Sequence, residues 1–221
     1  MPNSKPITHL IYDLDGLLLN TEPIHAQVNQ AIAARYGKTL DASIRAKIMG
    51  RRAEDSIQIL IELLALPLTV QEYMEQKNAL IYDLYPSARP MPGAMELTQR
   101  FHQAGVPQAI ASSSSRRPFN AKTAHHQEWL QLFDCIVLGD DPEIQQGKPA
   151  PDIFRIAAKR LGVSPEQCLV FEDSLAGVIA AKQAGMAVIA VPDPMMDKSL
   201  FQEADELLNS LHEFDSQQWG I

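Results

Sequence analysis

The chain is poor in the features that mark the specialised protein classes. It has only two cysteines in 221 residues, Cys135 and Cys168, too few for a disulfide-stapled scaffold. Each lies in a strand-like stretch and reads as a buried, reduced thiol. No apolar run approaches the roughly 20 residues that a membrane span requires. The opening Met1-Pro2-Asn3-Ser4-Lys5-Pro6 lacks the apolar segment of a secretion signal. No membrane partner and a cytoplasmic location are therefore expected. Positive charge is scarce as well. With 19 Lys and Arg against 27 Asp and Glu, the net charge of −8 argues against a nucleic-acid polymer as partner. There is no internal repeat, and the four serines at 112–115 form the only low-complexity tract. What remains, 46% apolar and 21% charged, is an ordinary globule with one core and room for a modest insert. A monomer is the default expectation.

The most informative segment is His9-Leu10-Ile11-Tyr12-Asp13-Leu14-Asp15-Gly16. Its apolar residues predict a buried strand, and the glycine marks where that strand stops. Side chains two apart on a strand point the same way, so Asp13 and Asp15 should share the strand's exit, where open α/β sheets hold ligands. Two carboxylates in one crevice repel and require a cation, a shared proton, or both. The pair suits covalent catalysis, with one carboxylate as nucleophile and its neighbour as proton donor. A solvated acidic turn is the plainer reading of such a pair on its own.

The pattern along the chain then changes twice. After the apolar arm Leu17-Leu18-Leu19 and a helix-start signal at Thr21, residues 24–85 show helical periodicity, clearest at Ile57, Leu60, Ile61 and Leu64. Pro86, Pro90 and Pro92 then make a stiff linker. Beyond Gly93, helices alternate with short buried strands: helices over 94–104, 152–161 and 174–184, and strands over 106–111, 135–138, 168–171 and 187–191. Such alternation predicts parallel βαβ units. The expected fold is therefore an α/β, Rossmann-like parallel-sheet core (residues 1–19 and 89–221) with an inserted α-helical cap domain (residues 20–88).

Each later strand delivers a chemically useful group at its C-terminal end. The strand over 106–111 runs into Ser112-Ser113-Ser114-Ser115, whose hydroxyls and backbone N–H groups could cradle a phosphate or merely cap a helix. Lys148 sits in Gly147-Lys148-Pro149-Ala150-Pro151, where two prolines fix it beside a helix start. Glu172 and Asp173 follow another buried strand and could either cap a helix or complete a hard-metal site with the first aspartates. With Asp15 protonated, three carboxylates and a phosphate dianion would face one lysine. A divalent cation is then close to obligatory, and all-oxygen ligands favour Mg²⁺ over zinc.

In this order, D-x-D-G, strand-Ser, G-K-P and strand-E-D resemble the four-motif signature of the haloacid dehalogenase superfamily, over the whole chain. The resemblance implies that Asp13 attacks phosphorus and forms an aspartyl-phosphate, while Asp15 protonates the leaving oxygen and then activates water. It implies Mg²⁺ held by Asp13, the Asp15 carbonyl and Asp173 with Glu172 assisting, and phosphate held by Ser112, Ser113 and Lys148. The Asp15 carboxylate argues against dehalogenation. The cap, Met91-Pro92-Gly93 and the string Val137-Leu138-Gly139-Asp140-Asp141-Pro142-Glu143 are most similar to the pseudouridine-5′-phosphatase branch. A phosphatase acting on a small phosphorylated metabolite is expected. Asn20, where these enzymes commonly have aspartate, is one departure.

β-Phosphoglucomutase is the rival, sharing fold, cap and phospho-aspartate. Its cap histidine falls on His25, but its sugar-phosphate arginine falls on Ala53. Arg51 or Arg52 could substitute or be hydrated surface charges. A non-catalytic binding protein is the remote third reading. Lys77, His125, His126, Asp140 and Asp141 are expected at the surface.

Overall fold

The computed structural model describes residues 6–48 and 53–221. Eight strands occur among them: β1 (His9–Tyr12), β2 (Leu19–Asn20), β3 (Arg89–Pro90), β4 (Gln108–Ser112), β5 (Cys135–Leu138), β6 (Cys168–Glu172), β7 (Ala187–Ala190) and β8 (Glu206–Leu207). The helices are α1 (Glu22–Arg35), α2 (Ala42–Ile48), α3 (Ala53–Leu64), α4 (Val70–Leu84), α5 (Ala94–Gln103), α6 (Arg116–Lys122), α7 (Gln127–Leu130), α8 (Asp152–Leu161) and α9 (Leu175–Gln183).

Six strands form one sheet in the order β5-β4-β1-β6-β7-β8, and every pairing is parallel. The chain moves from β1 outward to β4 and β5, then returns to the other side of β1 at β6. A crevice opens at the C-terminal ends of the strands where the direction reverses. Alternation along β1 sends Leu10 and Tyr12 into one apolar layer and Ile11 into the other. Tyr12 stacks on Phe171 with ring centroids 5.1 Å apart, and Phe214 meets Phe171 edge-on at 4.9 Å. On the opposite face, Phe154 of α8 and Val178 of α9 pack with Ile11 and Val170. The sheet is thus covered on both sides, as buried parallel strands require.

The helical insert, α1 to α4, lies between β2 and β3. These two short strands pair antiparallel, Leu19 with Pro90 and Asn20 with Arg89, so the two chain crossings run side by side. That ribbon is absent from the sequence reading, because two-residue strands carry no periodicity. The helix α4 begins in a reciprocal cap between Thr69 and Glu72. The buried Tyr73 hydroxyl donates to Asn29 Oδ1 at 3.1 Å, tying α4 to α1. The strand expected over 106–111 begins two residues later, because Pro107 cannot donate to a ladder and its carbonyl instead accepts from Leu10 N. No helix among the described residues is long and apolar enough to cross a membrane.

Both cysteines are free thiols. Burial pushes Cys168 up to about 12 and Cys135 up to about 11, with acidic neighbours adding to the rise. At pH 8 neither thiol should react readily with a chromogenic disulfide reagent, and both should react once guanidinium unfolds the chain. One fast-reacting thiol in the native protein would contradict this packing.

Candidate active site

β1 ends by placing Asp13 and Asp15 at the floor of a cavity of about 860 Å³, which Ser113, Ser114, Lys122, Lys148 and Asp173 also line. The volume is that of a small-molecule site. The wall formed by the helical insert adds Glu22, His25, Lys77, Asn78 and Tyr85. Residues separated by 160 positions thus meet because β1, β4 and β6 are sheet neighbours.

Lys148 is the buried hub of the floor. It is preceded by a short turn and followed by a cis bond to Pro149. Its ammonium donates to Asp13 Oδ1 at 2.5 Å, Glu172 Oε1 at 2.6 Å and the Ala111 carbonyl at 3.0 Å. All three N–H groups are thereby satisfied. Burial opposes its charge, but Asp13 and Glu172 more than offset this and raise its pKa. Burial also raises the Asp13 carboxyl; Lys148 pulls it down while Glu172 and Asp15 push it up, and the net shift is upward.

Glu172 is fully buried, and both its oxygens are engaged. Oε1 meets Lys148, while Oε2 accepts from Ser174 N at 3.1 Å and from Ser174 Oγ at 3.0 Å. A Cβ on Gly177 would overlap this carboxylate, so only glycine fits at that position of α9. The geometry makes Glu172 the anchor of Lys148, and any help to a metal would be indirect. Asp173, by contrast, faces the cavity. Burial, Glu172 and Asp13 together raise its pKa well above the ordinary carboxylate range. Gly16, at φ +87°, lies so close to Asp173 that a Cβ would strike its carboxylate. Three carboxylates (Asp13, Glu172 and Asp173) therefore face a single ammonium. No group of three metal-ligating side chains stands ready among the described residues, but Asp13 and Asp173 both line the cavity, and two hard carboxylates with main-chain carbonyls suit a divalent cation of the Mg²⁺ type.

Asp15 has a different environment. Lys122 Nζ lies 2.6 Å from Oδ1, and Ser114 Oγ donates to Oδ2 at 2.9 Å. Lys122 also donates to Ser114 Oγ at 2.7 Å, closing a three-membered ring. Burial raises the Asp15 carboxyl, but the charge and hydrogen bond of Lys122, with smaller help from Ser114, leave it below the usual range. The premise of a protonated Asp15 thus does not describe this resting arrangement, since the buried ammonium favours the anion.

Ser112 is buried, and its Oγ accepts from Ser114 N at 3.2 Å while its own O–H stays available as a donor. The residues lining the cavity from this tract are Ser113 and Ser114. His25 lines the insert wall with Nδ1 buried and unpartnered. Burial first, then Lys77, lowers it to about 3, so it is a neutral imidazole. Lys77 lines the same wall instead of standing in solvent, because α4 turns that face inward. His126 is tied down too, donating from Nε2 to the Ala88 carbonyl at 2.9 Å, whereas His125 and Asp140 are exposed. Asn20 lines a smaller adjoining cavity of about 240 Å³ with Gly16 and Asp173. Arg51 and Arg52 lie outside the described residues. Lys122 escaped the sequence reading, and Ser114 enters it only as part of the four-serine cradle. The one signal for Lys122 is its place three residues after buried Phe119 on a short helix, a position where a surface lysine is not expected.

Comparison with known proteins agrees with this geometry. The sequence profile of the family described as hydrolase, haloacid dehalogenase-like hydrolase, matches residues 7–185. The (DL)-glycerol-3-phosphatase 1, mitochondrial, of Arabidopsis thaliana is 43% identical over 97% of this chain and 74% of its own length. A Drosophila melanogaster protein named "Probable pseudouridine-5'-phosphatase" is 41% identical over 98% of this chain and 95% of its own. The solved structure of a haloacid dehalogenase family hydrolase from Deinococcus radiodurans, with bound phosphate and sodium, is 27% identical with a TM-score of 0.80, covering 97% of each chain. On its fold, its four strand-end motifs and these relatives, the chain belongs to the haloacid dehalogenase-like hydrolases.

Proposed function

We propose that this protein is a Mg²⁺-dependent phosphatase that hydrolyses a small phosphomonoester through an aspartyl-phosphate on Asp13. The observation that supports it best is the division of the floor into two carboxylate environments. Asp13 is fixed by Lys148 beside Asp173, while Asp15 is held apart by Lys122 and Ser114. Two carboxylates in unlike surroundings are how a site separates a nucleophile from an acid–base.

In this reading a carboxylate oxygen of Asp13 attacks phosphorus and the ester P–O bond breaks, with Asp15 giving its proton to the departing oxygen. A water molecule then attacks the phosphorus of the acyl phosphate and yields its proton to Asp15. The Asp13–phosphorus bond breaks, releasing phosphate and restoring both carboxyls. Asp15 rests as the anion beside Lys122, the form the second step needs. A phosphate dianion arriving alongside favours its protonated form, which the first step needs. Lys148 holds the nucleophile, while Ser113 and the N–H groups of the serine loop receive the phosphate oxygens; Ser112, buried beneath them, holds the loop through Ser114 N. Asp13, the Asp15 carbonyl and Asp173 would hold Mg²⁺, which when bound neutralises charge on the transferring phosphoryl group.

The insert wall offers Glu22, Asn78 and a neutral His25 beside Met74, Ile81 and Tyr85. Polar groups set among apolar ones suit a hydroxylated leaving group such as a polyol or nucleoside. Glycerol 3-phosphate and pseudouridine 5′-phosphate are accordingly the first substrates to test, in one panel with glucose 1-phosphate. Conversion of glucose 1-phosphate to its 6-isomer without net phosphate release would replace this reading with a mutase.

Asp13→Asn should abolish turnover, because a neutral amide is a poor nucleophile. Asp15→Asn should slow alkyl phosphates by about 10²–10⁴-fold, the usual worth of a general acid–base. It should slow p-nitrophenyl phosphate less, since that leaving group needs little protonation. Equal losses on both would remove the acid assignment. Chelation should abolish activity and Mg²⁺ should restore it. Independently of turnover, Mg²⁺ at about 100 times its Kd should stabilise the wild type by about 2.7 kcal/mol. Asp173→Asn should lose most of that thermal shift, and an unchanged shift would place the metal elsewhere.

A further inference from the structure

Lys122 is the most buried lysine among the described residues, 3% exposed, and neither the phosphate-holding nor the metal-holding groups account for it. A buried ammonium costs several kcal/mol unless it is paired and its donors are satisfied. This one meets the Asp15 carboxylate at 2.6 Å, the Ser114 hydroxyl at 2.7 Å and the face of the Tyr85 ring at 5.0 Å from its centroid. Those are three partners for three N–H groups. Ser114 in turn donates to the other Asp15 oxygen. Both oxygens of one carboxylate are thus tied to the same corner of the cavity, which fixes the plane of the group. Oδ1 is shut off from solvent, so a proton or a water is met from the cavity side through Oδ2, which keeps a second lone-pair direction.

The backbone beneath Lys122 is secured from two sides. The first N–H of α6 donates to Asp140 Oδ2 at 2.8 Å, which ties the helix to the turn after β5. From the insert side, Arg117 stacks over the Tyr82 ring of α4 at 4.3 Å. Tyr85 belongs to the single turn of 3-10 helix, Tyr85–Ser87, through which the insert returns to the sheet. Lys122 therefore stands on a short helix clamped between the sheet and the insert, with its charged end on Asp15.

We propose that Lys122, with Ser114 as its relay, is a positioning residue for the acid–base carboxylate of Asp15, and that it acts on the reaction only through that carboxylate. The inference rests on the phosphatase reading. It separates Lys122 from Lys148, which pairs with the nucleophile, and from a lysine that merely attracts anionic substrate.

A double-mutant cycle decides it. Lys122→Met keeps the stem volume and removes the charge. It should lower kcat on an alkyl phosphate by about 10–10²-fold, the scale of a misplaced catalytic group, with a smaller loss on p-nitrophenyl phosphate and KM changed less than about 3-fold. Lys122→Arg should recover part of the loss. In an Asp15→Asn background, Lys122→Met should cost less than about 2-fold, since the group it positions is already gone. Retention of the full single-variant loss in that background would overturn the proposal. So would a raised KM at unchanged kcat. If Lys122→Met does not fold, judged by its thermal transition, the same cycle with Ser114→Ala applies, with the same outcomes. Wild-type protein inert toward every phosphomonoester would overturn the phosphatase reading and this inference together. An active wild type with multiplicative losses would overturn this inference alone.

Discussion

The constraint on which the structure turns is the buried meeting of Lys148 with Asp13 and Glu172 at the centre of the sheet's edge. Carboxylates delivered by two neighbouring strands, β1 and β6, cannot share that space without a cation between them. The lysine comes from the loop before α8 and reaches across beneath β4, taking the Ala111 carbonyl as its third acceptor. Four segments far apart in sequence are thereby pinned to one point. Glu172 extends the pin into α9 through Ser174, whose Oγ caps the helix at Gly177 N. The scaffold and the chemistry are coupled here: the charge that needs burying is the charge that holds the strand ends together.

The sheet order makes the meeting possible. Because β1 is flanked by β4 on one side and β6 on the other, the crevice at its exit receives side chains from three consecutive strands and from the loops that follow them. The helical insert leaves and re-enters beside this crevice, its two crossings zipped by the β2–β3 ribbon. It consequently overhangs the cavity and supplies the wall opposite the carboxylates. The same topology places reactive groups on the sheet edge and leaving-group contacts on the insert, so the two can vary independently.

Much of this was legible in the sequence, and for identifiable reasons. The run Leu10-Ile11-Tyr12 before Asp13 has no polar interruption, which is what a strand buried on both faces looks like. The stops at Gly105, Gly162 and Gly185 all take the left-handed conformation that ends a helix, so the boundaries around them were readable to within a residue or two. Lys148 stood out because Pro149 and Pro151 follow it at once. What was not legible depended on which way a helix faces. Lys122 and Lys77 look like ordinary surface lysines until the register of α6 and α4 against the cavity is known. Ser112 and Ser114 are indistinguishable within a run of four serines, and only the turn after β4 decides which hydroxyl is buried and which reaches Asp15. The ribbon β2–β3 was hidden for a different reason, since its partners are 70 residues apart and two residues long.

The two lysines clarify how near-identical groups are given unlike tasks. Asp13 and Asp15 are one residue apart on the chain, and each is matched by a buried ammonium, yet the matches differ. Lys148 is shared between Asp13 and Glu172, so Asp13 keeps an electrostatic excess that a metal and an electrophilic phosphorus can relieve. Among the described residues Lys122 has a carboxylate partner only in Asp15, with a hydroxyl and an aromatic face completing its shell, so that pair is balanced within itself. A balanced pair is well suited to passing a proton in either direction, because small changes in nearby charge tip it. An over-supplied carboxylate cluster is suited to attack and to cation binding, because it is relieved by both. The difference lies less in the aspartates than in what their lysines are additionally asked to hold.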